Sequence, residues 1–166
     1  MRYHKLKAGT EPGTYVMEST TVTEHDILTM AQQLSQQRLN RGKALKSPTD
    51  VKDHMRTLAQ NLDHEVFSIV FLDTQHRIIK FEQMFRGCLD SATVYPREIV
   101  KMALACNAAA VILTHNHPSG NPTPSKADIA MTRQLKEALK LVSIHVLDHI
   151  VVGVDGATSM VEHGLM

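Results

Sequence analysis

Apolar positions recur along this chain with two periods, and the switches between them mark its elements. Val51, Met55, Leu58 and Leu62 fall three to four residues apart, as one helix face turned to a core does. Ser47 stands at the cap of that helix and Pro48 at its first position. The same period predicts a helix from Pro96 to about Asn107, with Ile99, Val100, Met102, Ala103 and Leu104 inward. It predicts another over 125–142, with Ile129, Leu135, Ala138, Leu139 and Val142 as its stripe. An earlier helix opens at Thr23-Glu24-His25-Asp26 and ends near Gly42; its loose apolar face (Ile27, Leu28, Ala31, Leu34, Leu39) and Gln-rich remainder describe a partly exposed helix. Between the helices the pattern changes to continuous apolar runs. His64 to Asp73 reads as a central strand, Asp73 to Arg77 as a turn, and Arg77 to Phe85 as the returning strand, continued past a bend at Gly87 by Cys88 and Leu89. Residues 108–115 and 143–154 are further strands, and a turn near Asp155-Gly156-Ala157 precedes a short last piece. Residues 1–22 are polar and read as a flexible or weakly extended arm with an edge strand at Tyr15-Val16-Met17. The order α-α-β-β-α-β-α-β is an α/β (α+β) fold: a single mixed β-sheet flanked by helices.

Composition narrows the partners. The chain has 166 residues, room for one domain, with residues 1–44 as an N-terminal arm and helix and 45–166 as the domain proper. Lys and Arg number 18 against 17 Asp and Glu, a net charge of +1, so no basic excess argues for nucleic acid. No apolar run is long enough to span a membrane, and Arg2, Lys5 and Lys7 lack the apolar stretch of a signal peptide. Cys88 and Cys106 have no metal-knuckle spacing and suit buried thiols in a reducing compartment, which with the rest predicts a cytoplasmic protein.

The chemistry gathers where the run 108–113 meets Thr114-His115-Asn116-His117-Pro118. Residues two apart on a strand project to one side, so His115 and His117 can meet one cation. Pro118 ends the strand, residues 118–124 form a loop, and Ser125 starts a helix with Asp128 in its first turn. The loop can return the carboxylate to the imidazoles. Two imidazoles, one carboxylate and an open position describe a catalytic rather than a structural zinc site. Ser125-Lys126-Ala127-Asp128 also has the form of a capping box, and capping need not exclude ligation. A hydrolase further needs a carboxylate base, for which Glu65, Glu82 and Glu98 are the candidates. Glu65 heads the apolar face of Phe67, Ile69 and Phe71, where a carboxylate is costly without a proton or cation partner. Glu82 is the reserve; Glu98 reads as a first-turn residue favoured by the helix dipole. His64-Glu65 does not begin a zincin motif, since position 68 is serine. His149, in an apolar strand, reads as a satisfied core histidine rather than a fourth ligand; Asn116 reads as structural, and His25 and His76 as solvated.

His115-x-His117-x7-Ser125-x-x-Asp128 resembles the JAMM (MPN-domain) metallopeptidase motif at every position. His115-Asn116-His117-Pro118-Ser119-Gly120, Pro122-Thr123-Pro124-Ser125, Tyr95-Pro96-Arg97-Glu98 and Leu147-Asp148-His149-Ile150 resemble the RadC-like branch, over roughly residues 45–166. The resemblance implies a JAMM/MPN, cytidine-deaminase-like architecture, in a short form without an N-terminal helix-hairpin-helix. It implies Zn2+ held by His115, His117 and Asp128, with Glu65 moving the proton, Ser125 donating to the oxyanion and residues 118–124 shaping the substrate entrance. Glu65 begins an apolar strand as the family's catalytic glutamate does, although Ser68 stands where the family usually has Gly. The implied reaction is zinc-dependent hydrolysis of an amide bond in a peptide or protein substrate. The rival reading is a non-catalytic DNA-repair-associated or protein-interaction module; a metal-dependent nuclease is a third, without a basic groove to support it.

Overall fold

The computed structural model describes residues 2–18, 21–39, 42, 48–59, 62–87 and 94–166. Ser47, expected as a cap, and Cys88 and Leu89, expected as a strand extension, lie outside the described residues. In chain order the elements are β1 (Arg2–Tyr3), β2 (Leu6–Ala8), β3 (Tyr15–Met17), α1 (Glu24–Arg38), α2 (Pro48–Ala59), β4 (Val66–Leu72), β5 (Ile78–Arg86), α3 (Pro96–Ala105), β6 (Ala110–Asn116), α4 (Lys126–Lys140), β7 (His145–Gly153) and β8 (Gly156–Ser159).

One mixed sheet organises the chain, in the order β5-β4-β6-β7-β8. β6 and β7 run parallel, and the other neighbours are antiparallel. β4 and β6, at the centre, are buried along their whole length, as their unbroken apolar runs require. One face of the sheet packs Phe67, Ile69, Phe71, Val111 and Leu113 against Ile99 and Ala103 of α3 and Leu135 and Leu139 of α4. The other packs Val70, Leu72, Ile112, Ile150 and Val152 against Leu39, Val51 and Met55. The result is the single mixed sheet flanked by helices that the periodicity predicts.

Several boundaries and faces differ from the sequence reading. The polar arm is a three-stranded antiparallel meander, with Leu6 opposite Met17 and Ala8 opposite Tyr15. Charge ties it down: Lys5 Nζ donates to Asp26 at 2.6 Å and His4 pairs with the same carboxylate. α1 ends at Arg38 instead of near Gly42, and Leu39 turns into the core. Ile27 and Leu28 of its expected face are exposed, while Met30 is buried. α2 stops at Ala59, so Leu62 lies beyond it, and Leu104 of α3 faces solvent. β4 starts one residue after Glu65.

Candidate metal centre

β6 ends with His115 and Asn116, and the next residue, His117, donates its backbone N–H to the Val152 carbonyl at 2.8 Å, which keeps the extended path. The period of two then puts both imidazoles on the face covered by α4. The loop returns tightly. Gly120, at φ +90°, donates its N–H to the His117 carbonyl at 3.0 Å, and its own carbonyl accepts from Asp155 at 3.2 Å. That approach requires Gly153: a Cβ there would lie 2.0 Å from the Gly120 carbonyl oxygen. The loop is thus pinned to the β7–β8 turn, and it delivers Ser125 to the start of α4.

At that start a full capping box forms. Ser125 Oγ accepts from the Asp128 N–H at 3.1 Å, and Asp128 Oδ2 accepts from the Ser125 N–H at 2.6 Å. The same carboxylate reaches the histidines, with His115 Nε2 3.3 Å from Oδ1 and His117 Nε2 3.4 Å from Oδ2. The two Nε2 atoms are 2.9 Å apart. One ligand atom from each of His115, His117 and Asp128 lies within 4.8 Å of the others, a group that can hold a metal ion. One geometry thus makes the cap and leaves the Asp128 carboxylate in a group that can hold a metal ion.

The donor set fits a cation. His117 Nδ1 lies 2.8 Å from the Asn121 carbonyl, which can only accept, so Nδ1 carries a hydrogen and in the neutral ring Nε2 turns a lone pair inward. An inward lone pair, a second imidazole nitrogen at 2.9 Å and a buried carboxylate need a positive charge among them. Burial alone raises the Asp128 pKa, but bonds from His115, His117 and Ser125 outweigh it and hold the carboxyl well below the usual range. The Asp128 bond raises the His117 pKa against burial, helped by the Asn121 carbonyl and the negative charges of Asp128 and Glu65.

The glutamates separate clearly. Glu65 is half-buried directly before β4, close enough to His117 for its charge to act on that ring. Its backbone is held on both sides by Asn116, whose side-chain oxygen accepts from the Val66 N–H at 2.8 Å and whose amide donates to the His64 carbonyl at 3.0 Å. Asn116 is therefore structural, in a way that positions Glu65. Glu82 lies on the edge strand β5, in an ion pair with Lys80 at 2.9 Å, and Glu98 faces Lys101 from the first turn of α3.

Two buried residues stand behind the ligands: His149, a satisfied core histidine as the sequence predicts, and Thr132, which has no part in the sequence reading. His149, fully buried, has its Nε2 2.8 Å from His115 Nδ1 and its Nδ1 2.6 Å from Thr132 Oγ1. Burial pushes its pKa well below the ordinary imidazole value, against the raising effect of the Asp128 charge. A β-bulge aims it: β7 pairs Val146 with Val111 but Asp148 with Ile112, so His149 and not Asp148 stands beside Leu113. Asp148 turns the other way and binds the His149 N–H, the Ser159 hydroxyl and the Val161 N–H. His76 is exposed at the β4–β5 turn, as expected, and His25 is also exposed. Cys106 is a half-buried free thiol. Among the described residues no helix is long and apolar enough to cross a membrane.

Comparison with known proteins gives a consistent picture. A family model described as "RadC-like JAB domain" matches residues 45–165. A UPF0758 protein of Ectopseudomonas mendocina is 53% identical over 140 residues, covering 84% of this chain and 62% of the relative. One from Pseudomonas syringae pv. syringae is 49% identical with the same coverage. One from Vibrio cholerae is 48% identical over 141 residues, 85% of this chain and 89% of the relative. The chain thus spans about 62% of the length of the Ectopseudomonas and Pseudomonas relatives.

Proposed function

The chain belongs to the RadC-like JAB domain family, and from that premise we propose that it is a zinc-dependent metallohydrolase that cleaves an amide bond in a peptide or protein substrate, as a peptidase or an isopeptidase. The observation that carries this reading is the convergence of two imidazole Nε2 atoms and the Asp128 carboxylate on one point at the rim of the sheet. His115, His117 and Asp128 hold the ion. When bound, zinc supplies Lewis acidity and brings the pKa of water down toward about 7.

The chain's own residues do the rest. Glu65 takes the proton of the attacking water and returns it to the leaving amine, a role that needs a carboxylate beside the ligands but not among them. Its effect on the His117 ring supports that position, and the Asn116 clamp holds its backbone still. Ser125 Oγ accepts from the helix N–H of Asp128, and its hydroxyl turns from the Asp128 carboxylate to donate to the oxyanion. The pinned loop 118–124 shapes the approach to the scissile bond. The test is hydrolysis of peptide and isopeptide libraries by zinc-loaded protein. Activity that disappears on chelation, returns with zinc and is absent in Glu65→Gln supports the reading. Hydrolysis that persists without metal refutes it.

A further inference from the structure

The contacts of His149 form a chain whose direction can be deduced. Thr132 Oγ1 lies 2.6 Å from the Asp128 backbone carbonyl, and a carbonyl only accepts. The single hydroxyl hydrogen of Thr132 is therefore spent there. Thr132 Oγ1 must then accept from His149 Nδ1–H, which leaves His149 Nε2 as a lone pair. That lone pair can only accept from His115 Nδ1–H, so in the neutral ring His115 Nε2 is the lone-pair nitrogen, facing His117 and Asp128. The opposite direction would set two oxygen lone pairs against each other at 2.6 Å between Thr132 and Asp128. The path starts at one ligand, His115, and closes on the backbone of another, Asp128. Phe67 holds the rings in place, edge-on to His149 and stacked on His115.

We propose that His149, oriented by Thr132, is a positioning residue that locks His115 in the tautomer whose Nε2 lone pair points into the metal site. The inference rests on the metal-site reading. A metal-binding histidine usually hands its second N–H to a carboxylate, a carbonyl or water. His117 does so with the Asn121 carbonyl, whereas His115 uses a second imidazole, which can accept only while its own tautomer is set from outside. Thr132 sets it. A free imidazole in water has no such constraint and interconverts between its tautomers.

The test separates the lock from the metal. Nitrogen-15 NMR of the metal-free protein, at alkaline pH where the imidazoles are neutral, reads which nitrogen of His115 carries hydrogen. Wild type is expected to show His115 with hydrogen on Nδ1. His149→Phe, which keeps a ring but offers no acceptor, is expected to move it to Nε2 and to weaken zinc binding about 10–100-fold in a chelator competition. His149→Gln, which restores an acceptor near the Nε2 position, is expected to recover most of that loss. Thr132→Val keeps the packing should the Phe variant fail to fold, and is expected to leave both His115 tautomers populated. Wild-type His115 with hydrogen on Nε2, or unchanged tautomer and zinc affinity in both His149→Phe and Thr132→Val, overturns the proposal. A wild type with the expected tautomer that binds no zinc refutes the metal-site reading and leaves the lock standing.

Discussion

Among the described residues the same capping box is used twice, with opposite consequences. Thr23 and Asp26 close the start of α1, and Ser125 and Asp128 close the start of α4, each with both reciprocal bonds in place. Both carboxylates are buried, at 6% and 2% exposure, and both are held well below the usual carboxylate range. At α1 the leading cause is Lys5, whose ammonium lies 2.6 Å from Asp26, followed by the Thr23 backbone and His4. At α4 no lysine or arginine is among the causes, and the acid faces two imidazoles. A lysine is a resident cation and completes the site at α1. Imidazole lone pairs call for a cation from outside. A buried acid in a cap is thus no sign of a metal site by itself; the groups set opposite it decide.

The contrast between a carboxylate that owns its cation and one that does not can be pressed hardest at the glutamates. Glu65→Gln is expected to lower kcat by roughly 10²–10⁴, the worth of a general base, while Glu82→Gln, losing only its pairing with Lys80, leaves kcat within about twofold. Equal losses in a hydrolysis assay would remove the distinction. Next come the two caps. Ser125→Ala and Thr23→Ala should each destabilise the fold by about 1 kcal/mol in denaturant titrations. Only Ser125→Ala should also cost about 10²–10³ in kcat through the lost oxyanion donor. Gly153→Ala forces a Cβ against the Gly120 carbonyl, and a loss of about 1–3 kcal/mol is expected, with the loop that carries Asn121 displaced from His117. Thermal melts together with metal content check it.

The smallest effect is that of pH on the metal-free protein. The raised His117 pKa means that its contribution to stability is full below the unfolded imidazole value of about 6.5 and is lost as pH rises through the higher folded value. Asp128 has the opposite sign: its contribution is present above the unfolded carboxylate range and is lost only as pH falls through a much lower folded value. Metal-free melting temperature should therefore fall from pH 6 to pH 9, and zinc affinity should rise over the same interval as the competing proton leaves.

The sequence showed most where side-chain period maps directly onto a face. The buried runs of β4 and β6, the stripes of α2 and α4 and the shared direction of His115 and His117 all follow from periods of two and 3.6. Three features did not follow. In the N-terminal meander only β3, at Tyr15-Val16-Met17, follows from the sequence; β1 and β2 have too few apolar residues to betray them, because Lys5 and His4 on Asp26 hold the arm. Glu65 reads as a strand residue heading the face of Phe67, Ile69 and Phe71; it lies just before β4, and its placement depends on Asn116, fifty positions away in sequence to Val66. The role of His149 depends on a one-residue bulge in β7, which no pattern of apolar residues reveals. In each case the missing information is a long-range polar contact or a register shift.

On the proposed function the second cap binds a metal and the first does not. Metal analysis of the purified protein, beside Asp128→Asn and Asp26→Asn, tests it most directly, since both changes keep side-chain shape and remove one charge. The expected result is about one zinc per chain in wild type and in Asp26→Asn, and none in Asp128→Asn. Zinc retained by Asp128→Asn, or absent from wild type after zinc loading, would contradict it.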